Sequence, residues 1–165
     1  MSESAADGIV IHRRAAGAWA PPLDPALDTL LGAGRNVVLA TTGASGIPQL
    51  SPVWFHWDGG RIVIVVRRDS VKARNVAREP RVALCLDDEP GGHYATLTGR
   101  TAVVDDPPGP ERPAIHALVM PILAKHFPGP AEAEAYWREV DGAGDFVALV
   151  VEVERILWFG GLPEG

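Results

Sequence analysis

The sequence predicts a mainly β, α+β domain: an antiparallel barrel of six to seven strands with short flanking helices, packed as a homodimer. Two patterns carry this. First, β-rich runs at 36–42, 49–57 and 61–66 are separated only by the turn signals Gly43-Ala44-Ser45-Gly46 and Asp58-Gly59-Gly60, which makes neighbours antiparallel. Second, Ile62-Val63-Ile64-Val65-Val66 and Val82-Ala83-Leu84-Cys85-Leu86 do not alternate between apolar and polar residues, so both of their faces need cover. A closed barrel covers one face. The other falls to a second subunit or, in a monomer, to helices in the region 114–140. With 165 residues, 47% of them hydrophobic and 22% charged, the chain is long enough for one such domain and short for two.

The elements follow in order. Residues 1–23 lack a clear pattern and read as an N-terminal arm draped on a domain spanning 24–165. A short helix starts at Asp24 as cap and Pro25 in its first turn, places Leu27, Leu30 and Leu31 on one face, and stops at Gly32 and Gly34. The strand 49–57 is expected to break near Pro52, because proline cannot donate to a ladder. Ser70 caps a helix to Glu79, which Pro80 stops. Strands at 81–86 and 93–104 come next, then helices at 114–127 and 131–140, and a strand at 146–153. Residues 156–159 form a seventh strand or continue the sixth past a kink.

Charge and composition exclude several functions. The formal charge is −6, which argues against nucleic acid as the main partner. No apolar run reaches the roughly 18 residues of a membrane span, and the N-terminus lacks a secretory pattern, so the expected location is cytoplasmic. The single cysteine, Cys85, excludes a disulfide framework and, in the middle of an apolar run, reads as an inert buried thiol. No metal-binding motif, phosphate loop or nucleophile elbow occurs, and the five histidines are scattered, so no metal and no catalytic residue is assigned.

Two features suggest ligand chemistry. Between Arg67 and Arg81 stand Arg67, Arg68, Lys72, Arg74, Arg78 and Arg81 against Asp69 and Glu79, a net +4, so the remainder of the chain carries −10. Ser70 opens a helix in this window, and helix N-termini favour anions. Ser70, Lys72, Arg67 and Arg68 therefore form a candidate phosphate site, the alternative being a solvated face paired with acids. For Arg78 and Arg81 the structural role is preferred. The second feature is Pro48-Gln49-Leu50-Ser51-Pro52-Val53-Trp54, a strand whose prolines place it at an edge or bulge, where Gln49, Ser51 and freed backbone groups can bind a planar heterocycle. Trp54 and Trp57 read as core or interface residues.

These two stretches resemble a known family. Leu39-Ala40-Thr41-Thr42, Gly46 to Phe55, Ser70-Val71-Lys72-Ala73-Arg74-Asn75 and Glu79 to Leu84 are similar to the pyridoxamine-phosphate-oxidase-like split β-barrels, within them to the branch that uses the deazaflavin coenzyme F420. Tyr94 to Val104, with Gly99, and the ending Trp158-Phe159-Gly160-Gly161-Leu162-Pro163 extend the match to about residues 27–163. The resemblance implies a homodimer with two cofactor sites at its interface. It implies that Ser70 and Lys72 hold the cofactor phosphate with Arg67 or Arg68 nearby, that Asn75 supports the phosphate loop, and that Gln49, Ser51 and Val53 line the ring. His93, Tyr94 and Trp158 of the other subunit would close the pocket. The sequence departs from many relatives at Pro52, where they carry a polar residue.

The implied activity is hydride transfer between the deazaflavin and a small conjugated organic acceptor such as an enone, a tetrapyrrole or a quinone, with His93 or Tyr94 supplying the proton. Two alternatives remain. One is an FMN enzyme of the same fold, and the other is a non-catalytic flavin or haem carrier or sensor.

Overall fold

A computed structural model describes residues 8–88, 92–109 and 111–160. The chain runs β1 (Ile9–Ala15), β2 (Ala18–Ala20), α1 (Pro25–Ala33), β3 (Asn36–Thr42), β4 (Pro48–Trp54), β5 (His56–Trp57), β6 (Arg61–Arg67), α2 (Val71–Arg78), β7 (Arg81–Asp87), β8 (Tyr94–Val104), α3 (Pro113–Leu123), α4 (Pro130–Val140) and β9 (Phe146–Phe159). The sheet order is β2-β1-β9-β8-β7-β3-β4, with β6 on the first half of β9 and β5 on β6. Every pairing is antiparallel. Only Phe55 separates β4 from β5, yet β4 shares no ladder with β6 among the described residues. The barrel is therefore split at the free edge of β4.

Among the described residues nine strands replace the expected six to seven, for three reasons. The N-terminal arm is a hairpin: β1 pairs with the second half of β9 from Ile9↔Phe159 to Arg13↔Arg155. It is fixed by Trp19 Nε1–H donating to the Gly59 carbonyl (2.8 Å) and by Arg14 on Glu152 (3.0 Å). The interruption of the second predicted strand falls at Phe55, not Pro52. Pro52 stays in register opposite Val38, at a position where an edge strand needs no N–H. Finally, residues 156–159 continue the same strand as 146–153, past a bulge.

That bulge lies where Thr98 pairs with Arg155 and Gly99 with Val153, leaving Glu154 unmatched on β8. It lets one strand serve β6 with its first half and β1 with its second. Gly99 is needed there, because a Cβ would overlap the Glu152 carbonyl oxygen and sit 3.0 Å from the Val153 Cα. Gly99→Ala is expected to cost about 2–3 kcal/mol of stability, read as a lower urea midpoint at unchanged slope. A midpoint equal to that of the unchanged protein would show that the bulge yields freely.

The helices follow their sequence signals. Asp24 accepts the Ala26 N–H (2.7 Å), Pro25 starts α1, and Leu27 and Leu31 are buried. Ser70 Oγ accepts the Ala73 N–H (3.3 Å) to cap α2. The helix expected to reach 127 ends at Leu123, and a series of short turns carries the chain to α4. Leu39, Ile64, Leu84, Leu97, Leu149 and Ile156 are among the residues filling the barrel. A second core sits outside it, where Ile115, Val119, Leu123 and Trp137 of α3 and α4 cover Ala148 of β9 and Val65 of β6. Both faces of β6 and of the first half of β9 are thus largely buried within one chain. The outer face of β3, β4 and β7 is not: Val38, Leu50 and Cys85 are exposed. The buried thiol expected at Cys85 is therefore corrected for the single chain, because β7 puts Val82, Leu84 and Leu86 inward and Cys85 outward.

Candidate functional site

The free edge of β4 and the start of α2 form the candidate site. Along β4 exposure alternates: Pro48, Leu50, Pro52 and Trp54 are exposed, while Gln49, Ser51 and Val53 are half-buried on the opposite face. The three side chains expected to line a ring therefore share one face. Asn75 of α2, 3% exposed, joins that face to the helix. Its Nδ2 donates to Thr41 Oγ1 (2.9 Å) and to Gln49 Oε1 (3.4 Å), and its Oδ1 accepts from Arg78 Nη2 (2.9 Å). Arg78 also donates to the Thr42 carbonyl (3.1 Å). Asn75 and Arg78 thus dock α2 onto β3 and β4 and orient Gln49.

The basic window is mostly committed within the chain. Arg67 pairs with Asp69 (3.1 Å). Arg68 pairs with Asp105 and donates to the Gly144 carbonyl (3.1 Å). Arg74 donates to the Asp69 carbonyl, and Arg81 pairs with Glu79 (2.8 Å). The Arg81 guanidinium holds the Glu79 carboxyl at about 2, below the usual carboxylate range. Lys72 is left, half-buried, with no hydrogen bond or ion pair among the described residues. It lies in the first turn of α2, where the Val71 and Lys72 N–H groups have no intrahelical carbonyl to bind. Lys72 and these N–H groups meet the requirements of a phosphate: a free cation, unserved donors and a favourable helix dipole.

Arg68 belongs to a network that sequence reading missed. Arg112, at the start of α3, donates to both Asp141 oxygens (2.7 and 2.9 Å), to Asp105 (3.0 Å) and to the Phe146 carbonyl (2.6 Å). Its partners are far apart in sequence, so no local spacing announces it.

The remaining predicted residues lie elsewhere in the chain. His93 is gripped by Asp88, which accepts from its backbone N–H (2.8 Å) and lies 2.6 Å from Nδ1. Its ring stacks near Trp158 (5.8 Å between centroids), itself a core residue 3% exposed. Tyr94 stacks on Phe159 (5.3 Å). Gln49 is opposite Thr41, level with Gly99 on β8, so Tyr94 is five residues or roughly 17 Å away along the strands. One chain therefore does not bring His93, Tyr94 and Trp158 to Gln49. The Gly161-Leu162-Pro163 ending lies outside the described residues. Among the described residues no three His, Cys, Asp or Glu side chains form a metal-binding group, and no helix is long and apolar enough to cross a membrane.

Residues 23–158 match the sequence profile of the pyridoxamine 5'-phosphate oxidase family. The chain belongs to this family. Solved structures of similar fold accompany the match. A conserved hypothetical protein, Rv2991 from Mycobacterium tuberculosis, is 23% identical over 83% of this chain and 85% of its own, with a TM-score of 0.68. A structure described as an F420 reductase is 23% identical over 81% and 98%, with a TM-score of 0.61. A haem-binding protein from Mycobacterium smegmatis is 27% identical over 80% of this chain and 52% of its own, with a TM-score of 0.57. The matched stretch includes β4 and α2 and begins after the β1–β2 hairpin of this pyridoxamine 5'-phosphate oxidase family member.

The pH response of the folded family member follows from its titrating groups. Burial lowers the His56 and His126 pKa values, with Lys125 and Arg35 respectively adding repulsion. Burial opposes the Asp58 charge, but hydrogen bonds from the Arg61 side chain and the Arg61 and Gly60 N–H groups outweigh it and hold the carboxyl low. In every case the folded state binds fewer protons than the unfolded one, so stability rises with pH. Thermal unfolding is expected to move to lower temperature as pH falls below about 6.5, the ordinary histidine value, and further below about 4.5 as Glu79 and Asp58 lose their advantage. A flat melting temperature from pH 7 to 3 would contradict this.

Proposed function

We propose that the chain is an oxidoreductase that binds the deazaflavin coenzyme F420 and transfers a hydride to a small conjugated organic acceptor. The observation that carries this reading is Lys72, a cation with no partner among the described residues at the head of α2, next to the Asn75–Gln49 pair. The likeness in fold to an F420 reductase supports it. In this reading Lys72, the Ser70 hydroxyl and the first-turn N–H groups of α2 hold the phosphate. Gln49, Ser51 and Val53 line the ring, and Asn75 keeps Gln49 oriented. Arg67 and Arg68 shape the turn through their carboxylate partners. When bound, the deazaflavin supplies the hydride; the protein supplies orientation and exclusion of water.

The reading includes a homodimer. The exposed face of Val38, Leu50 (65% exposed) and Cys85 is the surface for a second copy, which would bring its own Tyr94, His93 and Trp158 toward the Gln49 edge. A sedimentation mass near twice 17.5 kDa is expected, and a single-chain mass at micromolar concentration would remove the shared pocket.

A second reading, binding of haem, is supported by the haem-binding neighbours, and membership of the pyridoxamine 5'-phosphate oxidase family supports FMN as a third. Titration of the apoprotein with F420, FMN and haemin, followed by tryptophan quenching, separates the readings. F420 is expected to bind at least tenfold more tightly than either. A tighter complex with FMN or haemin would replace the deazaflavin assignment.

A further inference from the structure

We infer that Arg78 sets the polarity of the candidate cofactor site: acting through Asn75, it turns the Gln49 amide so that its NH2 end is presented, and the site takes a ring whose edge carries a carbonyl acceptor, such as the pyrimidinedione of a flavin or deazaflavin. This rests on the cofactor reading above and names the chemical edge that Gln49 reads. An amide side chain can present either its carbonyl or its NH2 group, and the two ends have nearly the same shape. Two of the three side-chain contacts of Asn75 leave that choice open. The Thr41 hydroxyl both donates and accepts, and Gln49 is itself an amide that can turn over to match. Two self-consistent arrangements therefore exist, and they present opposite ends of Gln49.

The third contact decides between them. A guanidinium only donates. Arg78 Nη2 lies 2.9 Å from Asn75 Oδ1 and 3.1 Å from the Thr42 carbonyl, so both of its hydrogens are engaged. Asn75 Oδ1 is thereby fixed as the acceptor, and Nδ2 must donate, to Thr41 Oγ1 (2.9 Å) and to Gln49 Oε1 (3.4 Å). Burial holds this choice. Asn75 is 3% and Thr41 2% exposed, so an amide turned the other way would set its NH2 group against the Arg78 donor, with little water to relieve it. The Gln49 carbonyl is thus engaged, and its NH2 group has no partner among the described residues. Gln49 is half-buried on the free-edge strand β4, in one row with Ser51 and Val53. A ring carbonyl laid along that row meets a donor, whereas a ring N–H in the same place meets a second donor and is refused. Lys72 stands three residues before Asn75, about 4.5 Å along α2, so the helix that offers the free cation also carries the residue that orients Gln49.

The test titrates the full chain with F420 and with FMN, which share the pyrimidinedione edge, and records the carbonyl stretching band of the bound ring by infrared difference spectroscopy. Gln49→Ala is expected to weaken binding about fivefold, the loss of one neutral hydrogen bond, and to move the carbonyl band to higher wavenumber. Arg78→Met is expected to weaken binding to a similar degree, although Arg78 itself meets no ligand in this arrangement, and adding Gln49→Ala to it is expected to cost less than about twofold more. In Asn75→Asp the side chain only accepts, so Gln49 turns its NH2 group inward. Adding Gln49→Ala in that background is expected to leave the affinity unchanged or to improve it. The inference is overturned if Gln49→Ala alone moves neither the affinity nor the band, or if it costs the same factor in the Arg78→Met and Asn75→Asp backgrounds as in the unchanged protein. Tight F420 binding that ignores these changes removes only this inference. The same pattern with FMN bound more tightly than F420 supports this inference and removes the deazaflavin assignment, and binding of neither removes both.

Discussion

Arg112→Met is expected to remove about 3–5 kcal/mol of stability, the cost of leaving a buried charge without its partner. Arg112 and Asp141 have side chains only 4% and 6% exposed and meet through two hydrogen bonds. Methionine fills much of the same volume but leaves the Asp141 carboxylate, among the described residues, with the Phe146 N–H alone (3.3 Å). Asp105 keeps Arg68, so the damage centres on the junction of α3, α4 and β9. At about 2–4 °C per kcal/mol for a chain of this size, melting should fall by roughly 6–20 °C. Arg112→Met combined with Asp141→Leu should recover part of the loss, because no charge is then stranded. A loss under about 1 kcal/mol for the single change would mean that water reaches Asp141 and that the network does not hold this corner together.

Lys72→Ala is expected to weaken cofactor binding about ten- to a hundredfold, which is the 1.5–3 kcal/mol scale of a hydrogen bond to a charged group. Stability should hardly change, since among the described residues Lys72 meets no carboxylate or carbonyl by hydrogen bond or ion pair. Arg68→Ala should do the opposite, lowering the melting temperature through Asp105 while leaving the cofactor dissociation constant within about threefold. The two variants separate a ligand-binding cation from a structural one within the same turn. Unchanged cofactor affinity in Lys72→Ala would remove Lys72 from the site.

Much of the fold was legible because its signals are local. Asp24 and Ser70 were readable as caps since a cap acts over two or three residues, and both form. Asp58-Gly59-Gly60 was readable as a hairpin for the same reason. The N-terminal hairpin was not, because its stability comes from β9, more than a hundred residues later, and from Trp19 and Arg14 on the distant turn at Gly59 and Gly60. Cys85 misled because an apolar run that does not alternate implies cover on both faces, and the helices supply that cover to β6 and β9 but not to β7. In the basic window the composition was correct and the allocation was not readable. Asp69 and Glu79 are sequence neighbours of their arginines, but Asp105 reaches Arg68 from the end of β8, and only the folded chain shows that Lys72 is the cation left over.

The sequence by itself determined the antiparallel order of β3 to β6 and the caps and stops of α1 and α2, because turn residues and caps act over a few positions, whereas the unbroken β4 that puts Gln49, Ser51 and Val53 on one face appeared only in the structure. The tertiary structure alone decided the nine strands of the described residues, the Arg112 network and the stacking of Trp54 on His126. Each depends on residues brought together from distant parts of the chain, and a contact of that kind leaves no spacing in the sequence from which it can be read.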